Sequence, residues 1–82
     1  MILYAAADLL WATRIKGACD AVGVPARPVR SLDMLPDRLA DSDVRGLVVD
    51  LETGALGPDL IRHARAAEQP GRRIFILAFG PH

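Results

Sequence analysis

Two aspartates stand at the ends of short apolar runs, and their carboxylates are the groups in this sequence best suited to chemistry. Asp8 follows the run at residues 2–7, and Asp50 lies near the end of the run at residues 45–51. An aspartate can act as a nucleophile, and Mg²⁺ commonly takes one or two carboxylates together with water. Glu52 lies in the loop after Asp50, where it could contact the same ligand. We therefore take Asp50 as a candidate nucleophile, and Asp8, Asp50 and Glu52 as candidate ligands of a weakly bound Mg²⁺. Each aspartate could equally cap a helix or a turn.

Other reactive side chains are few. Cys19 is the single cysteine, and the two histidines are His63 and His82, so the chain forms neither a multi-cysteine site nor a three-histidine site. The glycines of the segment 54–57 follow an apolar run but lack the lysine of a phosphate-binding loop. No nucleophile, base and acid can be assembled into a catalytic set. The sequence thus predicts a protein that is not an enzyme and has no catalytic residue.

Composition restricts the class of protein. The chain has 82 residues, 51% of them hydrophobic, and its ten basic and ten acidic residues give a formal net charge of zero. Nucleic acids and anionic membranes attract basic proteins, so neither is expected as a partner. The apolar N-terminal stretch is interrupted by Asp8 and follows no Lys or Arg, so it resembles neither a signal peptide nor a membrane span. We expect one domain over residues 1–82, cytoplasmic, and from the Arg- and Ala-rich composition bacterial.

The elements that must position the carboxylates follow from apolar periodicity. Residues 2–7 are continuously apolar, which is typical of a buried strand. Asp8 is then suited to cap a helix, and Gly23 to end it. The apolar stripe of this helix consists of Trp11, Ile15, Ala18 and Val22. Asp8 is thereby predicted at the junction of the first strand and the first helix.

The next segment is less regular. Residues 25–30 predict a second strand, and the prolines within it favour a place at the sheet edge. Ser31 can cap a short second helix extending to Ala40, which Pro36 should break or restart. A polar turn follows at residues 41–43.

The C-terminal half repeats the alternation of strand and helix. Residues 45–51 predict a third strand, residues 52–57 a loop, and Pro58 the first position of a helix that ends at residues 69–71. Residues 74–79 predict the last strand. Strict alternation with short connections indicates a parallel sheet with helices on both faces, and ligands of such sheets bind at the carboxyl ends of the strands.

The stretch LVVDLETGALGPDLIR at residues 47–62 resembles the receiver domain of response regulators, which has a flavodoxin-like fold. The resemblance places Asp50 at the phospho-acceptor position. It extends to the first two strands and so covers nearly the whole chain. It implies a three-layer α/β fold with a parallel four-stranded sheet in the order 2-1-3-4.

The sequence departs from receivers where their chemistry resides. Ala6 and Ala7 occupy the positions of the acidic pair that holds Mg²⁺ in receivers, and Ala78 or Phe79 that of the hydroxyl residue. The conserved lysine of the family has no counterpart, since Lys16 lies on the first helix. The resemblance therefore implies a truncated pseudo-receiver without the last strand and helices, acting through protein–protein contacts in signalling or regulation. The alternatives are a true receiver that uses Asp50 with Mg²⁺, and a small nucleotide or flavin binder.

The last strand predicts an interface. Its residues are apolar on both alternating faces, yet the order 2-1-3-4 places this strand at the sheet edge, where both faces would meet water. We expect the chain to be a homodimer, to bind a partner protein through this strand, or to be a fragment of a longer domain. The predicted interface residues are Ile74, Phe75, Ile76, Leu77 and Phe79.

Overall fold

Four strands and the helices between them make up the described part of the molecule. The computed structural model describes residues 1–40, 43–67 and 73–80. The strands are β1 (Ile2–Ala5), β2 (Ala26–Pro28), β3 (Gly46–Asp50) and β4 (Phe75–Phe79). The helices are α1 (Leu9–Ala21), α2 (Leu35–Leu39) and α3 (Leu56–Ala66), with 3₁₀ turns at Leu32–Met34 and Leu51–Thr53.

The four strands form one parallel sheet in the order β2-β1-β3-β4. This confirms the predicted fold class, an α/β fold of three layers compatible with a flavodoxin-like architecture. β1 lies inside the sheet, hydrogen-bonded to β2 on one side and to β3 on the other. The register pairs Leu3 with Leu47 and Leu47 with Ile76, so these side chains share one face of the sheet. The carboxyl ends of β1 and β3 are consequently neighbours.

One face of the sheet packs against α2 and α3 and contains the core. Full burial of an aliphatic side chain contributes about 1.5–3 kcal/mol, so this layer supplies most of the stability. The buried cluster consists of Leu3, Ala5, Val29, Leu35, Val44, Leu47, Val49, Leu60, Ala64 and Ile74.

The opposite face is covered by α1 over β1 and β2, while β3 and β4 are left partly open. All 13 residues of α1 are described, and none of them is buried. Phe75 and Leu77 of β4 are 53% and 56% exposed on this side. The expectation that both faces of the last strand meet water is wrong for the side facing α3, because Ile74 belongs to the core and Ile76 packs against it.

Helix α1 begins and ends as predicted. Asp8 is its N-cap, with its Oδ1 accepting a hydrogen bond from the Trp11 N–H at 2.9 Å. Gly23 follows the last turn with φ of +73°, a left-handed conformation that favours glycine. Strand β1 is shorter than predicted, since Ala6 and Ala7 lie beyond its end.

The other helices differ in detail from the prediction. Pro36 does restart the second helix, since a 3₁₀ turn precedes α2 and Pro36 stands in the first turn of α2. Helix α3 begins at Leu56, earlier than the predicted Pro58. Pro58 is tolerated there because N–H groups of the first helical turn have no intrahelical acceptor. The predicted helix end at residues 69–71, and residues 41–42 of the predicted turn, lie outside the described residues.

Within the described ranges, no helix has the length and apolar character needed to cross a membrane.

Candidate functional site

The carboxylate of Asp50 is buried at the end of β3, where its side chain has no solvent exposure. Its Oδ2 accepts a hydrogen bond from the Ala7 N–H at 3.0 Å. Its Oδ1 accepts one from the Glu52 N–H at 2.9 Å. We call this arrangement of Asp50 with the main chain of Ala7 and Glu52 the Asp50 link.

The sheet order creates the Asp50 link. Because β1 and β3 are adjacent and parallel, the segment after β1 passes the end of β3, although Ala7 and Asp50 lie 43 residues apart in sequence. The Thr53 hydroxyl donates to the Asp50 carbonyl at 2.7 Å and holds the 3₁₀ turn that presents the Glu52 N–H. The carboxylate thus joins the loop after β1 to the turn after β3.

The surroundings of Asp50 favour an anchoring role over nucleophilic attack. A phospho-accepting carboxylate must present an oxygen to a phosphoryl donor, whereas each oxygen of Asp50 accepts a main-chain hydrogen bond. The chain after β4 also passes close by, since a Cβ on Gly80 would lie 3.8 Å from Asp50 Oδ1. Charge on a buried carboxylate is stabilised by such donors without a metal ion.

The three candidate metal ligands do not form a common site. Asp8 is exposed and caps α1, and Glu52 is exposed and contributes its main-chain N–H to the Asp50 link. Across the described residues, no group of three or more histidine, cysteine, aspartate or glutamate side chains could hold a metal ion. Mg²⁺ needs nearly octahedral oxygen ligation. Because both Asp50 oxygens accept main-chain hydrogen bonds and Asp8 caps α1, these side chains do not fit the Mg²⁺ that the resemblance to receivers implies.

The remaining positions of the resemblance contain no substitute for the missing groups. Ala6 and Ala7 follow β1 in the place of an acidic pair, and Ala78 and Phe79 end β4 in the place of a hydroxyl residue. Lys16 lies on α1, where its Nζ pairs with Asp20 at 3.4 Å on the exposed side. The Lys16 ammonium group therefore does not take the place of the receiver lysine beside Asp50.

The crevice expected at the carboxyl ends of the strands is present beside β1 and β2. It encloses about 310 Å³ between Tyr4, Pro28, Arg30 and the first turn of α1. Asp8 lies at its margin, but Asp50 is not among its lining residues. Asp8 and Asp50, which are both candidate ligands of one Mg²⁺, therefore do not face this crevice together.

A second feature lies on the other flank of α1, above β3 and β4. This open groove has a volume of about 230 Å³ and an almost entirely apolar lining. The Trp11 and Phe79 rings meet at one end with centroids 5.1 Å apart, and the Arg14 guanidinium lies 5.2 Å from the Trp11 ring centroid. The groove is lined by Trp11, Arg14, Ile15, Ala18, Val48, Leu77 and Phe79.

Sequence reasoning found part of this groove. The last strand was predicted as an interface, and the stripe of Trp11, Ile15 and Ala18 was predicted as an apolar helix face. What it missed is that the two surfaces meet with a gap between them. The sequence did contain a sign of this gap. Residues 74–79 are apolar on both alternating faces, which is typical of a strand packed against other elements on each side.

No protein-family model, curated protein or solved structure matches the chain.

Proposed function

We propose that the chain is a non-enzymatic, receiver-like module that acts through protein–protein contacts, first of all with a second copy of itself. The observation that carries this proposal is the open groove. Parallel sheets are ordinarily covered on both faces, and contiguous exposed apolar surface marks sites of interaction. Here Phe75 and Leu77 are more than half exposed beside the groove. Signalling or regulation in the cytoplasm of a bacterium is the setting that suits such a module.

The Asp50 link supports the non-enzymatic part of the proposal. Phosphoryl transfer needs positive charge placed around the transferred group. In the described structure, Ala6 and Ala7 supply no metal ligand, and Lys16 is paired with Asp20 on α1. Asp50 itself is buried, with both oxygens accepting main-chain hydrogen bonds. The Asp50 carboxylate therefore stabilises the fold, and the proposed protein–protein contacts are made by the apolar groove.

The experiment is incubation of the full chain with acetyl phosphate and Mg²⁺, followed by intact-mass measurement. We expect no added mass, because the Asp50 carboxylate is buried and each of its oxygens already accepts a main-chain hydrogen bond. Asp50→Asn is the matched control. A gain of one phosphate by the wild-type chain that Asp50→Asn abolishes would show a working receiver and refute the proposal.

A further inference from the structure

We propose that the crevice beside β1 and β2 binds a free α-amino acid with an apolar side chain, whose carboxylate pairs with Arg30 and whose ammonium group pairs with Asp8. This site goes beyond the proposed protein–protein contacts and does not depend on them, because the crevice and the open groove lie on different flanks of α1. It is also separate from Asp50, which does not line it.

The crevice has the size of a site for a small molecule. Its volume of about 310 Å³ lies at the lower end of the range for ligand pockets. Three alanines line it, Ala6, Ala7 and Ala12. Ala6 and Ala7 are the residues that stand in place of the acidic pair of receivers. The departure that removes metal ligands from the end of β1 therefore also leaves room there.

A buried tyrosine contributes a polar group to the crevice. Tyr4 is 7% exposed and is one of the lining residues. Its hydroxyl makes no hydrogen bond within the described part of the chain, yet Arg38 Nε is the one fully buried polar side-chain atom there without a partner. The Tyr4 hydroxyl is therefore not sealed inside the protein, and it opens to the crevice that Tyr4 lines. Since a buried tyrosine hydroxyl normally has a hydrogen-bond partner, this one is available to a ligand.

The hydrogen bonding of β2 places Arg30 beside this tyrosine. Tyr4 is paired with Pro28, and the Val29 N–H donates to the Tyr4 carbonyl at 2.8 Å. Arg30 comes next in the chain, and its own N–H contacts the Met34 Sδ at 3.4 Å. The main chain around Arg30 is thereby held between β1 and the 3₁₀ turn that contains Met34.

The lining of the crevice carries one charge of each sign. Asp8 and Arg30 are the charged residues among those that line it. Neither belongs to an ion pair within the described ranges. Asp8 Oδ1 accepts the Trp11 N–H, and a carboxylate has capacity to accept further hydrogen bonds. Both side chains can therefore bind groups of a ligand.

This pair of charges favours a zwitterion over a simple anion or a simple amine. A carboxylate alone would pair with Arg30 but meet the like charge of Asp8, and an amine alone would be repelled by Arg30. A free amino acid carries both groups on one carbon and has no net charge. The Tyr4 hydroxyl would donate to its carboxylate, and Val29 and Leu56 would contact its apolar side chain.

Titration of the full chain with L-leucine, followed by ¹H–¹⁵N NMR, tests the site. We expect saturable shifts of the Leu9, Ala12 and Arg30 amide signals, with a dissociation constant of about 1 mM or below. The Val48 and Leu77 signals, beside the open groove, should stay in place. L-Valine and L-methionine are further probes of the same class. A chain whose crevice signals none of these three amino acids shifts would refute the inference.

Two analogues of leucine test the need for both charges. The first, 4-methylpentanoate, lacks the ammonium group, and the second, 3-methylbutylamine, lacks the carboxylate. We expect each to bind about tenfold more weakly than L-leucine, because each loses one charged hydrogen-bonding group. Equal binding of either analogue would show that one of the two charged residues takes no part, and would overturn the assignment to an amino acid.

Asp8→Asn isolates the charge of Asp8 from its capping role, because asparagine caps helices as well as aspartate does. This variant should bind L-leucine about tenfold more weakly and 4-methylpentanoate more tightly, since the like charge is gone. Arg30→Gln should weaken the binding of both. Arg27→Gln is the matched control, because Arg27 is exposed on β2 but does not line the crevice. Unchanged L-leucine binding by Asp8→Asn or Arg30→Gln would contradict the proposed contacts.

Tyr4→Phe removes the hydroxyl and keeps the ring, so the packing under α1 is preserved. We expect L-leucine to bind about fivefold more weakly to this variant. Circular dichroism shows whether each variant is folded. Full affinity in a folded Tyr4→Phe variant would refute the placement of the ligand carboxylate beside Tyr4.

The two proposals fail in different ways. A chain that binds no amino acid refutes the ligand site and leaves the protein–protein contacts in place. A chain that is phosphorylated on Asp50 refutes the non-enzymatic function and has no bearing on the crevice.

Discussion

Asp50 shows how a residue in the position of a nucleophile can serve the fold instead. Its carboxylate accepts hydrogen bonds from the Ala7 and Glu52 N–H groups, and it has no exposure to solvent. Removing the acceptor would leave two main-chain donors without their partner. An unsatisfied buried donor costs about 1–3 kcal/mol. The contribution of Asp50 to stability should therefore be large for a single polar side chain.

We expect Asp50→Ala to lower the free energy of unfolding by about 2–4 kcal/mol, because both donors of the Asp50 link lose their acceptor. Asp50→Asn keeps one carbonyl oxygen and should cost roughly half as much. Urea denaturation of the variants measures the effect.

The control for this prediction is Asp20→Ala, which removes an exposed partner of Lys16 and should change the stability by less than about 0.5 kcal/mol. Unchanged stability in both Asp50 variants would mean that the link contributes nothing to the fold.

At the scale of the elements, an aromatic ring of strand β4 fills the space that a glycine of the neighbouring strand β3 leaves empty. Gly46 of β3 is paired with Phe75, and a Cβ built on Gly46 would run into the Phe75 ring. The ring therefore lies over the space that a side chain at position 46 would fill. Since Phe75 is 53% exposed on an edge strand, its ring can move aside if that space is taken.

We expect Gly46→Ala to destabilise the wild-type chain by about 1 kcal/mol, since the Phe75 ring must leave the sheet surface. In a Phe75→Ala background the same substitution should be neutral or stabilising, because glycine is unfavourable in strands. A double-mutant cycle from thermal or urea unfolding measures this coupling. Equal effects of Gly46→Ala in both backgrounds would show that the ring does not cover the glycine.

Local sequence patterns predicted the ends of an element well where a single residue determines where the element begins or stops. Asp8 and Gly23 mark the ends of α1 through a side-chain acceptor and a left-handed conformation, and both signals are local. The strand order followed from the alternation of strands and helices together with the resemblance to receivers. The start of α3 was misplaced because Pro58 is compatible with several positions of a first turn.

The geometry of the candidate site could not be predicted in the same way. The Ala7 N–H reaches Asp50 only through the pairing of β1 with β3, and an alanine gives no sign that its main chain will be a donor. The open groove depends on how far α1 extends across the sheet. Tertiary packing sets that coverage, and the apolar stripe of α1 alone does not specify it.

At the scale of the whole molecule, the chain is small, and α1 covers only the β1 and β2 part of its face of the sheet. A domain of this size buries only about 60% of the surface of its unfolded chain. Covering the β3–β4 strip in a dimer would add apolar burial that the single molecule lacks. Association and folding should therefore be coupled.

We expect the melting temperature to rise with protein concentration by about 4 °C for each tenfold increase, because dimerisation favours the folded state by mass action. Differential scanning fluorimetry over a wide range of concentrations measures it. Leu77→Glu, which introduces a charge into the groove, should melt at a temperature independent of concentration. A concentration-independent melting temperature in the wild-type chain would indicate a folded monomer.

The Asp50 link also selects between alternative pairings of the same two strands. Strands β1 and β3 are almost wholly apolar, so a shift of β1 along β3 by two residues would keep each side chain on its own face of the sheet and exchange one apolar contact for another. The carboxylate opposes that exchange, because a shift would separate Asp50 from the Ala7 N–H and break the hydrogen bond that joins the two strands at this end of the sheet. A single aspartate therefore distinguishes the native alignment from its misaligned competitors, a requirement on Asp50 that holds whether or not it ever meets a phosphate.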